Sequence, residues 1–177
     1  RAEAGRIARR EFLARIADAV GASRIALGHT ADDQAETLLY RLARGTGWEG
    51  LCGMAPVSGR SIRPLLGVPR AVVREYAVAQ GLPWREDETN EDVSFARNRI
   101  RERVMPEFAL VHPGATNALL RTADLARDAR EIERYAMEQA WPRVCEMEDP
   151  GSVRLGREAL AGLPTTMQAV VLREAMR

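Results

Sequence analysis

The chain has 177 residues, 46% of them hydrophobic and 29% charged, with a formal net charge of +1. This is an ordinary soluble composition, long enough for one domain or two small ones, and the near-zero charge makes no case by itself for nucleic acid. No apolar run reaches the about 20 residues that span a bilayer and no signal peptide is visible, so a soluble cytoplasmic protein without a membrane partner is expected.

In chain order, residues 2 to 20 read as an amphipathic helix with Ile7, Phe12, Leu13 and Ile16 as its apolar members, stopped by Gly21. "RIALG" (24–28) is a short apolar run bounded by glycine, the pattern of a buried strand. A helix from about Ala31 to Arg44 follows, with Leu38, Leu39 and Leu42 as its apolar stripe and Gly45 as its stop. Helix, strand, helix is half of a parallel α/β unit.

"RGTGWEGLCGM" (44–54) is glycine-rich and reads as a loop, and "SIRPLL" (61–66) as a short strand or extended segment. "PRAVVREYAVAQG" (69–81) has proline at its first turn and glycine past its end, the signature of a helix. The stretch 82–108 opens as a polar loop and becomes helical near Ser94, where Ile100, Val104 and Phe108 can face a core. His112-Pro113-Gly114 breaks the pattern, and a long helix is expected from Ala115 to Ala140. "SVRLG" (152–156) reads as a strand, and the last residues return to helix. The domain boundary is set at 107/108. Both ends fall inside helical patterns and no Met opens the chain, so an internal piece of a longer protein is expected.

The chemistry concentrates at the start of the second helix. His29, Asp32, Asp33 and Glu36 fall within eight residues, just beyond a strand's carboxyl end, where open parallel sheets bind ligands. Asp33 has a structural alternative, since Thr30 can cap the helix and an acid at its third position complements the dipole. That leaves the rest unexplained. Asp33 and Glu36 are i, i+3 neighbours, Asp32 and Glu36 are i, i+4 neighbours, and like charges at those spacings destabilise a bare helix by a few tenths of a kcal/mol. A cation would offset the repulsion: magnesium, for which Asp32 is the candidate ligand, or a substrate ammonium. No second histidine or nearby cysteine supports a zinc site.

A second cluster is "RNRIRER" (97–103), where Arg97 and Arg101 share a helical face and suit a phosphate clamp, or else form a solvated basic face. All 26 basic residues are arginine, whose planar fork grips two oxygens at once. Arg44 opens "RGTG", a weak phosphate-loop signal.

Three stretches together, "GHTADDQAETLLYRLARGTGWEGLCGM", "RPLLGVPR" and "GLPWREDETNEDVSFARNRIR", resemble tRNA(Ile)-lysidine synthetases in order and spacing. The HxxDDxxET-type segment alone fits several N-type ATP pyrophosphatases; the RNxxR segment narrows it. The long helix and "SVRLGREALAGLPTTMQAVVLREAMR" resemble that family's central domain. The resemblance implies an α/β fold: residues 1–107 as the C-terminal part of a Rossmann-like PP-loop ATPase domain, and 108–177 as the start of a mainly helical α+β, tRNA-recognising domain.

It also implies the reaction. ATP adenylates the C2 oxygen of the wobble cytidine in the CAU-anticodon isoleucine tRNA, and the side-chain amine of free L-lysine displaces AMP. Asp33 and Glu36 match lysine-holding positions, Arg97 matches a catalytic one, Asn98 and Arg101 complete that motif, and His29 and Asp32 match its nucleotide side, to which Arg44 is also assigned. The expected cofactors are ATP and Mg2+. The family's SGGxDS loop, which wraps the pyrophosphate, is not in these residues, so the chain alone is expected to be inactive. On the long helix, Arg121, Arg127, Arg130 and Arg134 are candidates for the RNA backbone, interleaved with Asp124, Asp128 and Glu131. No oligomeric state is assigned.

Three rivals remain. A cytidine-thiolating PP-loop enzyme uses a similar acidic motif but needs paired cysteines, and Cys52 and Cys145 belong to no CxxC pair. An amide-forming ATP pyrophosphatase would not need the long helical second part. A non-catalytic tRNA-binding fragment is the third.

Overall fold

The computed structural model describes residues 2–84 and 95–176. Its contacts divide the chain into two compact units, Arg1–Asp124 and Leu125–Arg177, with the division inside a long helix.

In the first unit, α1 (Ala2–Ala19) is closed by Gly21 at φ 68°, a left-handed conformation that favours glycine. The strand β1 is only Ile25–Ala26, shorter than the 24–28 run. It pairs in parallel with β3 (Ser61–Ile62), which also pairs antiparallel with β2 (Val57–Ser58), giving the order β1-β3-β2. β2 was not expected; two residues carry no readable alternation. Between β1 and β3 lies α2 (Ala31–Ala43), the crossover helix of the parallel pair.

The helix α2 is the centre of this unit. Ala31, Gln34, Ala35, Glu36, Leu38 and Leu39 are buried on it, whereas Leu42, expected in the same stripe, is exposed. Leu42 sits in the last turn, where the chain turns away at Gly45 (φ 74°). The expected apolar faces elsewhere are likewise more open than the periodicity implies: Ile7, Phe12, Ile16 and Phe108 are each 41% or more exposed, while Ile100 is buried.

The glycine-rich stretch 44–54 is not all loop, because α3 (Trp48–Leu51) forms inside it. Two side chains of α2 hold it down. Arg41 Nη1 donates to the Gly50 and Gly53 carbonyls at 2.9 and 2.8 Å. The buried Gln34 amide pairs with the Met54 backbone in both directions, donating Nε2–H at 3.1 Å and accepting the N–H at 2.7 Å. Gly53 lies against that amide at φ 64°, and a Cβ there would come within 2.6 Å of Gln34 Nε2. Any side chain would break the clasp.

The helix α4 (Arg70–Ala79) follows Pro69 as the sequence predicts. The expected loop 85–94 lies outside the described residues. From Ala96 the chain is helical: α5 (Ala96–Arg99), a π-helical turn (Ile100–Val104) and α6 (Met105–Val111), ending at His112.

The helix α7 runs Ala115–Val144, past the expected end at Ala140 and through Pro142. Proline removes one backbone bond there, and packing carries the last turn: Ala140 and Val144 form a core with Val171, flanked by Trp141, Leu155 and Met167. The expected strand is β5 (Ser152–Leu155), paired with β4 (Cys145–Asp149) as an antiparallel hairpin. β4, "CEMED", is too polar to show as a strand in sequence. The chain continues with α8 (Arg157–Ala161) and α9 (Thr165–Ala175). No helix among the described residues is long and apolar enough to cross a membrane.

Candidate functional site

The loop after β1 leads through Gly28 and His29 to Thr30, the N-cap of α2. Asp33 closes this start: its Oδ2 accepts the Thr30 N–H at 2.8 Å and the Thr30 hydroxyl at 2.9 Å. This leaves Oδ1 to partners from outside the helix. Asp32 turns to α4, where its Oδ2 accepts the Arg70 N–H at 2.7 Å and satisfies an otherwise unpaired N-terminal amide. One residue earlier, Ala31 N–H donates to the Val68 carbonyl at 3.0 Å. The starts of α2 and α4 are thereby latched together.

One turn on, Glu36 is 1% exposed. An ionised carboxylate at that depth costs several kcal/mol unless it is paired. Three guanidinium groups pair with it. Arg101 grips it with both arms, Nε to Oε1 at 2.7 Å and Nη2 to Oε2 at 3.1 Å. Arg97 Nε donates to Oε2 at 3.1 Å. Arg70 Nη2 donates to Oε1 at 3.3 Å. The same three reach Asp33 Oδ1, at 3.2 Å from Arg70, 3.5 Å from Arg101 and 3.6 Å from Arg97. Arg97 Nη2 also donates to the Asp33 carbonyl at 3.2 Å and the Thr37 hydroxyl at 3.4 Å.

These contacts change the electrostatic reading. The sequence assigns relief of the carboxylate repulsion to magnesium or a substrate ammonium; here arginines from two other segments provide it. Among the described residues no three His, Cys, Asp or Glu side chains come together as metal ligands.

The protonation states follow. Burial pushes the Asp33 carboxyl up, but the Thr30 hydrogen bonds and the Arg70 and Arg97 charges outweigh it and hold it below its ordinary 3.8. Asp33 therefore contributes stability that is present above pH 3.8 and lost as the pH falls through its lower folded value. Burial holds the His29 imidazole below its ordinary 6.5, opposed by Asp33 and reinforced by Arg63 and Arg97. The hydrogen bond from Arg101 to Glu36 raises the Arg101 pKa further, so it stays charged.

The structure brings together Asp33, Glu36, Arg97 and Arg101, with His29 close enough to feel Asp33 and Arg97. Asn98 lies half-buried on α5 beside Arg97. Arg44 is not part of the cluster. It caps the other end of α2, eleven residues on from Asp33 and so about 16 Å along the helix, where it lies over the Tyr40 ring.

The sequence reading missed Arg70, and one signal could have found it. A cation in the first turn of a helix opposes the helix dipole, so an arginine directly after Pro69 needs a compensating partner. It also missed Arg63, whose buried Nε, like His29 Nδ1, has no hydrogen-bond partner. Cys52 is buried, its thiol donating to the Trp48 carbonyl at 3.2 Å, and Cys145 is half-buried in the second unit. On α7, Arg121, Arg130 and Arg134 are exposed and Arg127 is half-buried, with Arg134 paired to Glu138.

A family model described as a PP-loop domain matches residues 2–108. The chain is 40% identical over 176 residues to the tRNA(Ile)-lysidine synthase of Geobacter sulfurreducens, covering 98% of this chain and 37% of that protein. It is 41% identical over 173 residues to the tRNA(Ile)-lysidine synthase of Leifsonia xyli, covering 96% of this chain and 52% of that protein. A further tRNA(Ile)-lysidine synthase, from Thermobifida fusca, is 42% identical over 172 residues, again covering 96% and 52%. The chain thus spans between 37% and 52% of the length of these curated relatives. Among solved structures, the U34-tRNA thiolase NcsA of Methanococcus maripaludis, with its 4Fe–4S cluster, shares the fold at a TM-score of 0.53 and 19% identity, covering 68% of this chain and 42% of that one. With the match over 2–108, the parallel β1–β3 pair and the acidic α2 start at its rim, the chain belongs to the PP-loop domain family.

Proposed function

We propose that the protein to which this chain belongs is a cytoplasmic tRNA(Ile)-lysidine synthase. ATP adenylates the C2 oxygen of the wobble cytidine in the CAU-anticodon isoleucine tRNA, releasing pyrophosphate. The lysine side-chain amine then forms the new bond to C2, the C2–O bond breaks, AMP leaves, and the amine gives up a proton. One observation carries the reading: Arg97 and Arg101 close on Asp33 and Glu36 across more than sixty residues of chain, in a sequence about 40% identical to proteins of that name.

The roles follow from the chemistry. Asp33 and Glu36 receive the lysine ammonium at the oxygens that Arg97 leaves as it turns away, and a carboxylate in that place also accepts the proton the amine must lose before it attacks. Arg97, the most exposed of the three guanidinium groups at 44%, turns to the phosphoryl group as charge develops on it. Arg101 holds Glu36, and Asn98 completes the segment. The partnerless His29 Nδ1 and Arg63 Nε are buried polar atoms that suit a nucleotide on that side, with Asp32 latching the helix starts beneath it. Residues 1–107 form the catalytic part and 108–177 the beginning of the tRNA-recognising part, with the exposed arginines of α7 offered to the RNA backbone.

The thiolase reading is not favoured: its named example shares only the fold, and Cys52 and Cys145 belong to no CxxC pair. The test is direct. The intact protein, given ATP, L-lysine and a CAU-anticodon isoleucine tRNA transcript, should incorporate labelled lysine into the tRNA in step with AMP release. AMP release without lysine incorporation, or sulfur incorporation in its place, would overturn the assignment.

A further inference from the structure

We propose that Arg70 is a positioning residue of this site: rooted at the start of α4, its guanidinium bridges Asp33 and Glu36 and holds the two carboxylates convergent where a cationic substrate group arrives. The inference rests on the reading of those carboxylates as the receivers of the lysine ammonium.

Three observations carry it. First, a single nitrogen, Arg70 Nη2, lies 3.2 Å from Asp33 Oδ1 and 3.3 Å from Glu36 Oε1. One donor group thus ties together two like charges that would otherwise turn apart at i, i+3 spacing. Second, the backbone beneath it is fixed. The Arg70 N–H donates to Asp32 and the Val68 carbonyl accepts from Ala31, so the guanidinium starts from a point set by α2 itself. Third, Arg70 approaches from α4, whereas Arg97 and Arg101 come from the 96–111 helical segment. The carboxylates are held from two independent elements. When Arg97 turns toward the phosphoryl group, Arg70 stays, and its 31% exposure against 44% for Arg97 accords with the more fixed role.

The test reads Asp33 and lysine separately. Asp33 is faced by Thr30 and Glu36 on its own helix, His29 before it, Arg70 from α4, and Arg97 and Arg101 from the 96–111 segment. Carboxyl 13C NMR should show its titration midpoint rising by about one unit in Arg70→Gln. In the intact protein the same variant should raise the lysine KM at least tenfold, more than it lowers kcat. Arg70→Lys keeps the charge without the planar fork, so it should give intermediate values of both.

An Asp33 midpoint that does not move in Arg70→Gln overturns the proposal. If that variant does not fold, Arg70→Lys decides: a wild-type midpoint together with a wild-type KM overturns it. A shifted midpoint with an unchanged lysine KM upholds the bridge and overturns lysine as the group the carboxylates receive.

Discussion

Glu36→Gln is expected to lower kcat/KM for lysine between tenfold and about a hundredfold, and to destabilise the chain. The shape barely changes, but one carboxylate oxygen becomes an NH2 group that faces guanidinium donors. Arg101 loses half of its two-armed grip, and Arg97 or Arg70 loses its acceptor. A hydrogen bond to a charged group is worth about 1.5–3 kcal/mol, which sets the kinetic range. The stability loss is about 1–3 kcal/mol. Breaking a fully buried pair costs more, but these arginines are 22–44% exposed and water takes up part of the loss. Lysine-dependence kinetics and urea unfolding measure the two effects. Wild-type lysine kinetics would refute the role of Glu36.

Arg97→Ala is expected to cripple lysine transfer while leaving the fold intact. Its side chain is the most exposed of the three, and Glu36 keeps Arg101 and Arg70 without it, so the stability change stays within about 1 kcal/mol. Activity falls by a factor on the order of 10²–10³, the range seen when a donor aimed at developing charge is removed. Single-turnover assays separate adenylation from lysine transfer, and Arg97→Lys should recover little of either because an ammonium has no fork. A variant that kept near wild-type turnover would show that Arg97 only supports Glu36.

The contrast between these residues shows what was legible in the sequence. Asp33 and Glu36 could be read because they are local: helix spacing put two like charges together beyond a strand end. Arg97 and Arg101 could be read as one face for the same reason. That the arginines meet the carboxylates directly depends on contacts 61 to 68 residues apart along the chain. The local reading therefore assigns the arginines to phosphate or carboxylate and the carboxylates to an incoming cation; it places both sets at one site, with the 97–101 turn folded back toward Asp33 and Glu36, as the structure has it, but not in direct contact with each other. Arg70 was missed because its meaning lies in a bond between two helix starts. The two-residue strands, the polar β4 and the π turn at Ile100–Val104 carry no periodic signal, and Pro142 stays helical through packing that no local rule encodes.

The account turns on a cationic side chain reaching Asp33 and Glu36. The most direct measurement is isothermal titration of the nucleotide-loaded intact protein with L-lysine and with L-norleucine, which has lysine's four side-chain carbons but lacks the terminal ammonium. Lysine should bind with a detectable heat that Glu36→Gln removes, and norleucine should bind at least tenfold more weakly to the wild type. Equal affinity for the two amino acids, or undiminished lysine binding by Glu36→Gln, would contradict the assignment of the carboxylate pair.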